Sequence, residues 1–216
     1  MNEIIDLTYL INEQMITYPT LWHPKVSIQR LGKIEEVGRN TRKIILGTHT
    51  GTHIDAPLHF IKDGKSIDKI PLEKIVGNVT IVDFSNLKEN TPIEKEMLME
   101  LKITKRMIFR FGWQKFWNTE NFYKNYPFFT TDAANYLISK GIELIGYDTP
   151  SPDDSNMNVN EVDSPIHKIL LGNGVILLEY LANLDKLNDL ENWNLVVAPM
   201  KIECSDGSPS RVFVFR

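Results

Sequence analysis

Short extended runs outnumber helices along this chain, and the period of its apolar positions changes often. Glu3 to Leu10 and Lys25 to Leu31 are predicted strands. Gly38-Arg39-Asn40 marks a turn before Thr41 to Leu46, where β-branched and apolar residues run on toward a histidine-rich stretch. Lys62-Asp63-Gly64-Lys65 is a turn signal, and Asn78 to Phe84 a strand. A helix is predicted from Thr91 to about Leu101, with Thr91 as N-cap, Pro92 at the first helical position and Glu94 completing a capping box. Arg106 to Phe111 is a strand. Thr131 caps a helix that runs to about Lys140 and stops at Gly141. Ile142 to Tyr147 reads as a buried strand and Ser151 to Glu161 as a polar loop. Ser164 and Pro165 open a further helix, ended by Gly172 and Gly174. Val175 to Leu178 is a continuous apolar strand, and strands near Leu195 to Ala198 and Arg211 to Phe215 close the chain. No repeat or low-complexity linker divides it. The pattern predicts one α/β domain over residues 1–216, a mixed sheet curled toward a barrel with helices outside.

One stretch breaks the apolar pattern with chemistry. Thr48 to Phe60 holds three of the five histidines, with Asp55 between them. Gly47, Gly51 and three threonines argue against a helix. In an extended segment His49, His53 and Asp55 share parity and would project to one side. Two imidazoles and a carboxylate suit zinc, manganese or iron. His59 follows Pro57, near enough to act in the same site without being aimed at a metal, and so reads as a proton-transfer residue.

The second half offers two more candidates. His167 sits in the first turn of its predicted helix. Glu179 follows Val-Ile-Leu-Leu, where a buried charge needs a partner. A metal is one such partner; a capping histidine and a surface glutamate are the plain alternative. His23, in Trp22-His23-Pro24, has no matching carboxylate and stays outside the set. Trp113 to Phe129 holds eight aromatic residues, which could wall an aromatic pocket, pack a core or form a subunit contact.

Composition narrows the function classes. The chain has 216 residues, 42% of them hydrophobic and 24% charged, as in an ordinary globular protein. A net charge of −4 without a basic block gives no support for nucleic-acid binding or for attraction to an anionic membrane. The single cysteine, Cys204, fits a reducing compartment, and no signal peptide or membrane span is read, so a cytoplasmic location is expected.

His49-Thr50-Gly51-Thr52-His53-Ile54-Asp55-Ala56-Pro57-Leu58-His59 resembles the signature of the metal-dependent cyclase family, which includes bacterial-type kynurenine formamidases and isatin hydrolases. Asp6-Leu7-Thr8, Gly146 to Asp153, His167 to Leu171, Leu178 to Leu184 and Asp206 to Arg211 resemble further segments of that family, in the same order. Tyr18-Pro19-Thr20-Leu21-Trp22-His23-Pro24 lacks the Gly-Asp that formamidases of this type carry near the N-terminus. The resemblance implies a barrel-like sheet flanked by helices and a homo-oligomer built on a dimer, with active sites near the interface. It implies one or two divalent ions per subunit, zinc first and manganese second. His49, His53 and Asp55 would hold the first ion, and Asp55 would bridge to a second completed by His167 and Glu179. His59 would be the general acid/base. The expected reaction is hydrolysis of a small amide, an aryl formamide foremost, with Trp22 and Phe60 against the aromatic ring. A cyclic aryl amide, a metal-assisted cyclase or dehydratase step, and a metal- or ligand-binding protein without turnover are the alternatives.

Overall fold

The computed structural model describes residues 3–157 and 163–216. In chain order the elements are β1 (Ile4–Asp6), β2 (Ser27–Gly32), α1 (Ile34–Val37), β3 (Thr41–Ile45), β4 (His53–Asp55), α2 (Leu72–Ile75), β5 (Val76–Asp83), β6 (Pro92–Ile93), α3 (Lys95–Met99), β7 (Arg106–Arg110), β8 (Phe128–Phe129), α4 (Thr131–Ser139), β9 (Leu144–Tyr147), α5 (Pro165–Gly172), β10 (Ile176–Glu179), β11 (Trp193–Pro199) and β12 (Gly207–Phe215). The main sheet runs β12-β11-β5-β7-β9-β10-β4 and closes through β4 back onto β12, with β1 added on β12. Strands β5, β7, β9 and β10 are parallel; β4, β11 and β12 join them antiparallel. The expected mixed barrel with flanking helices is therefore present, in one α/β unit.

Alternation along the strands sorts side chains between two cores. Ile54, Ile108, Leu144, Ile176 and Leu178 point into the barrel with Leu7, Ile81, Leu195, Val212 and Val214. Met107, Phe109, Ile145, Tyr147 and Leu177 point outward, into a second core under α4 and α5. The parity of β4 and β10 then places His53, Asp55 and Glu179 on the outer face, where α5 can reach them. The register fixes the match: Glu179 pairs with His53 and Leu177 with Asp55.

Several boundaries differ from the sequence expectation. The helix predicted from Thr91 starts only at Lys95, because Pro92 and Ile93 pair in parallel with Phe128 and Phe129. Burial of Ile93 in the outer core outweighs the capping-box pattern. The helix predicted from Thr131 is capped by Thr130, whose hydroxyl accepts from Ala133 N–H at 3.2 Å. The first strand is only three residues long. The loop expected from Ser151 to Glu161 lies partly outside the described residues.

Candidate metal centre

His53 and Asp55 are supplied by β4, Glu179 by the last position of β10, and His167 by the first turns of α5. All four are buried. His49 lies outside the strand, contrary to the extended reading of the whole stretch. A turn carries it, and Gly51, at φ 62, lets the chain reverse there. His59 ends a short 3-10 turn, Pro57–His59, with its N–H donating to the Ala56 carbonyl at 2.9 Å. An open pocket of about 730 Å³ is lined by His49, His53, Asp55, His59, His167 and Glu179 together. The structure thus gathers all six candidate residues from both halves of the chain.

Two of the imidazoles are oriented alike. His53 Nδ1–H donates to the Gly51 carbonyl at 2.7 Å. A carbonyl only accepts, so this fixes the tautomer and leaves the Nε2 lone pair free. That nitrogen faces Asp55 Oδ1 at 3.3 Å and Glu179 Oε2 at 3.4 Å. His167 Nδ1 lies 2.5 Å from Asp153 Oδ2, and its Nε2 faces Asp55 Oδ2 at 3.5 Å and Glu179 Oε1 at 3.3 Å. His53 Nε2 and Asp55 Oδ2 are buried without a hydrogen-bond partner. Each such atom costs about 1–3 kcal/mol unless something pairs with it. Donors held tetrahedrally at about 2.1 Å from one ion lie about 3.4 Å apart, close to the spacings seen here. The donor set fits a divalent cation.

The other two imidazoles are arranged differently. His49 makes close contacts through both nitrogens, Nδ1 to Asp55 Oδ1 at 2.7 Å and Nε2 to Asp206 Oδ2 at 2.9 Å. The His59 ring stacks on His49 at 3.9 Å, and its Nδ1 is 3.3 Å from Asp206 Oδ2. One ligand atom each from His49, Asp55 and His59 lie within 4.8 Å of one another, as do those from His53, Asp55 and Glu179. Asp55 belongs to both groups.

The electrostatics follow from four carboxylates around these rings. Burial would lower the His49 pKa, but the charge of Asp55 and the contacts with Asp206 and Asp55 raise it to about 10. Burial likewise opposes His167, and Asp153, Asp55 and Glu179 hold it well above its ordinary value. For Asp55 burial is overcome by the His49 and His59 charges and the His167 contact, which hold it well below the usual carboxylate range. Contacts with His49 and then His59 do the same for Asp206, against partial burial. Burial and the Glu179 charge raise Tyr147, so it remains a phenol and donates to Glu179 Oε1 at 2.8 Å.

Asp153, Asp206 and Tyr147 hold the site in place, and reasoning from spacing assigned none of them a role. Asp153 also replaces Ser164 as the cap of α5: its carboxylate accepts from Ile166 N–H at 2.7 Å and from His167 N–H at 3.2 Å. The Ser164 side chain makes no cap bond. An Asp directly after Pro152 in Ser151-Pro152-Asp153 was the available signal, but its target lies 14 residues away. His23 stays apart from the donors, its Nε2 against the His49 carbonyl at 2.9 Å. Trp22 is exposed at the pocket rim, and the Phe60 ring lies 4.8 Å from that of His167. The aromatic segment 113–129 does not wall the pocket. Trp113, Phe122, Tyr126 and Phe129 are buried in the outer core, and Trp117 stacks on Tyr9.

The Cyclase family model, described as "Putative cyclase", matches residues 5–154. A kynurenine formamidase of Bacillus cereus (strain ATCC 14579) is 33% identical over 216 residues, covering 99% of this chain and 97% of that protein. One from Bacillus cytotoxicus is 30% identical with the same coverage. Among solved structures, an isatin hydrolase bound to the product analogue thioisatinate has a TM-score of 0.88 at 26% identity, covering 100% of this chain and 92% of that one. A structure described as a potential metal-dependent hydrolase with cyclase activity has a TM-score of 0.73 at 28% identity, covering 100% and 98%. With its signature residues drawn together on the outer face of the barrel, and relatives matched from end to end, this chain is a member of the Cyclase family.

Proposed function

We propose that the protein is a metal-dependent hydrolase that cleaves the C–N bond of a small aryl amide, with an N-formyl anilide as its substrate class. The observation that carries this is the facing pair His53 and His167, each with Nδ1 engaged and Nε2 turned to the carboxylates of Asp55 and Glu179. His53, Asp55, His167 and Glu179 would hold one divalent cation, and Asp55 with His49 would contribute to a second. Nitrogen and oxygen donors without thiolate suit zinc, and manganese next. When bound, such an ion polarises a carbonyl and brings the pKa of a water toward about 7.

The rest is done by side chains. His59 lies at the edge of the donor set, open to the pocket. Asp206 beside Nδ1 sets the ring's orientation and leaves Nε2 to the substrate. His59 takes a proton as water attacks the carbonyl carbon and returns it to the amide nitrogen as the C–N bond breaks, giving a carboxylic acid and an arylamine. Trp22 and Phe60 would flank the aryl ring. The shape match to an isatin hydrolase holding thioisatinate favours a cyclic aryl amide as the second reading. The direct test is hydrolysis of formanilide and isatin after chelation and again after zinc or manganese add-back. Cleavage should vanish and return; a metal-replete protein inert on both substrates would refute the reading.

The same reading includes a dimer. Leu31, Ile34, Val37, Ile44 and Ile45 are exposed on the β2–β3 hairpin and α1. A two-stranded sheet with apolar side chains exposed on both of its faces is marginal alone. Residues 25–45 carry six cations and two carboxylates, a net +4 on a chain of −4, so the remainder carries −8. That complementarity points to a second copy of this chain as the cover. Ile44→Asp should lower the mass seen by light scattering; a wild-type protein that is already monomeric at micromolar concentration would contradict the dimer.

A further inference from the structure

Immediately after Glu179 the chain places Tyr180 at φ 57. For a bulky side chain that left-handed conformation is an outlier. The backbone there is tied on three sides. Tyr180 N–H donates to the Thr149 carbonyl at 3.2 Å, the Thr52 hydroxyl donates to the Tyr180 carbonyl at 2.6 Å, and Leu181 N–H donates to the Tyr147 carbonyl at 3.0 Å. None of these bonds uses the ring, and glycine would meet the same backbone demand without strain. A tyrosine held there against its backbone preference directs attention to what its ring does.

The ring is almost wholly buried, yet Tyr180 lines the pocket beside His53 and Glu179. Its centroid is 5.2 Å from that of His53, 5.2 Å from Phe122 and 6.1 Å from Trp117. It therefore stands between the donor end of the pocket and the aromatic core. A carbonyl bound at that end has two substituents. With the aryl amine on the open side, toward Trp22 and Phe60 as in the function proposed above, the substituent on the carbonyl carbon would face the inner wall.

We propose that the Tyr180 ring is that wall and restricts the acyl group of the substrate to formyl. This rests on the amide-hydrolase reading above and deepens it. For a formyl group the inward substituent is hydrogen. A methyl or ethyl group must displace a ring already backed by Phe122 and Trp117. One methylene in a tight pocket changes kcat/KM by about 10- to 200-fold.

The test compares kcat/KM for formanilide, acetanilide and propionanilide on metal-loaded protein, and binding of formate, acetate and propionate to the same samples by calorimetry. Tyr180→Gly should lower the formyl-over-acetyl ratio at least tenfold from wild type, and Tyr180→Phe should keep it. Tyr180→Asn tolerates the same backbone and replaces Tyr180→Gly if that variant does not fold. The acids should follow suit, with formate favoured over propionate in wild type and the difference levelled on truncation. Equal rates for formyl and acetyl substrates in wild type, or an unchanged ratio in the truncated proteins with metal content retained, would overturn the proposal. If no anilide is cleaved by any sample, the hydrolase reading fails and the acid-binding order alone decides the role of Tyr180.

Discussion

His53 and His167 on one side of Asp55, and His49 and His59 on the other, are four imidazoles around one carboxylate, yet the chain treats the two pairs differently. The first pair is buried, its Nδ1 atoms bound to fixed acceptors and its Nε2 atoms facing anions. The second is more open and meets at Asp206, itself partly exposed. An imidazole nitrogen buried against carboxylates is tolerable only with a proton or a metal cation between them. A ring stacked at a pocket edge with a carboxylate at its back can exchange protons. In the function proposed above, the buried pair would hold one cation, His49 would contribute with Asp55 to a second, and His59 alone would move the proton, although all four residues are the same amino acid.

The sharpest way to break this distinction is a matched pair of substitutions. Asp55→Ala, which removes the shared carboxylate, should take metal content and activity down together to background. His59→Ala should cut turnover by about 10²- to 10⁴-fold while the metal stays bound, as loss of a general acid/base does. Metal measured by elemental analysis and falling in step with activity in His59→Ala would make His59 a ligand.

A smaller effect tests how His167 is aimed. Asp153→Asn leaves the cap of α5 nearly isosteric but weakens the acceptor on His167 Nδ1. Metal affinity or activity should fall by about 10- to 100-fold, the usual consequence of losing an outer-shell partner. Unchanged affinity would mean that packing alone orients the ring.

The mildest test is pH. In the metal-free protein the His49 pKa is raised from 6.5 to about 10. A raised folded-state pKa adds stability that is fully present below 6.5 and is lost as pH climbs through about 10. Metal binding must displace such protons, so affinity rises over the same window. The gap in Tm between metal-loaded and metal-free protein should therefore widen between pH 6.5 and 9. A gap that is flat or narrows would argue that these protons are not in competition with the ion.

The contrast also explains what could be read from the chain alone. The four groups from His49 to His59 are local, so their density within eleven residues exposed them. Glu179 stood out as a charge after four apolar residues. The parity argument reached the right grouping for His53 and Asp55, which do lie on β4, but the wrong reason for His49, which comes in on a turn. Asp153 and Asp206 were invisible as site residues because each sits in a polar loop where acids are ordinary, and only the fold brings them to His167 and His49. The error at Thr91 has the same origin: a local helix signal was overridden by the pairing of Pro92 and Ile93 with Phe128 and Phe129, 36 residues away. Proximity along the chain was readable, and proximity created by barrel closure was not.

Closure has one more effect. Gly207 lies opposite Asp55 where β12 meets β4, and a methyl group added to Gly207 would come within 2.6 Å of His49. Sliding this seam by a single residue would turn Ile54 outward and bury the acidic side chain inside the barrel. The alignment that seals the cylinder is thus also the key that admits only one order of groups to the reaction, and a lesion far from any substrate contact, at the join itself, would silence the enzyme while leaving every reactive residue in the sequence.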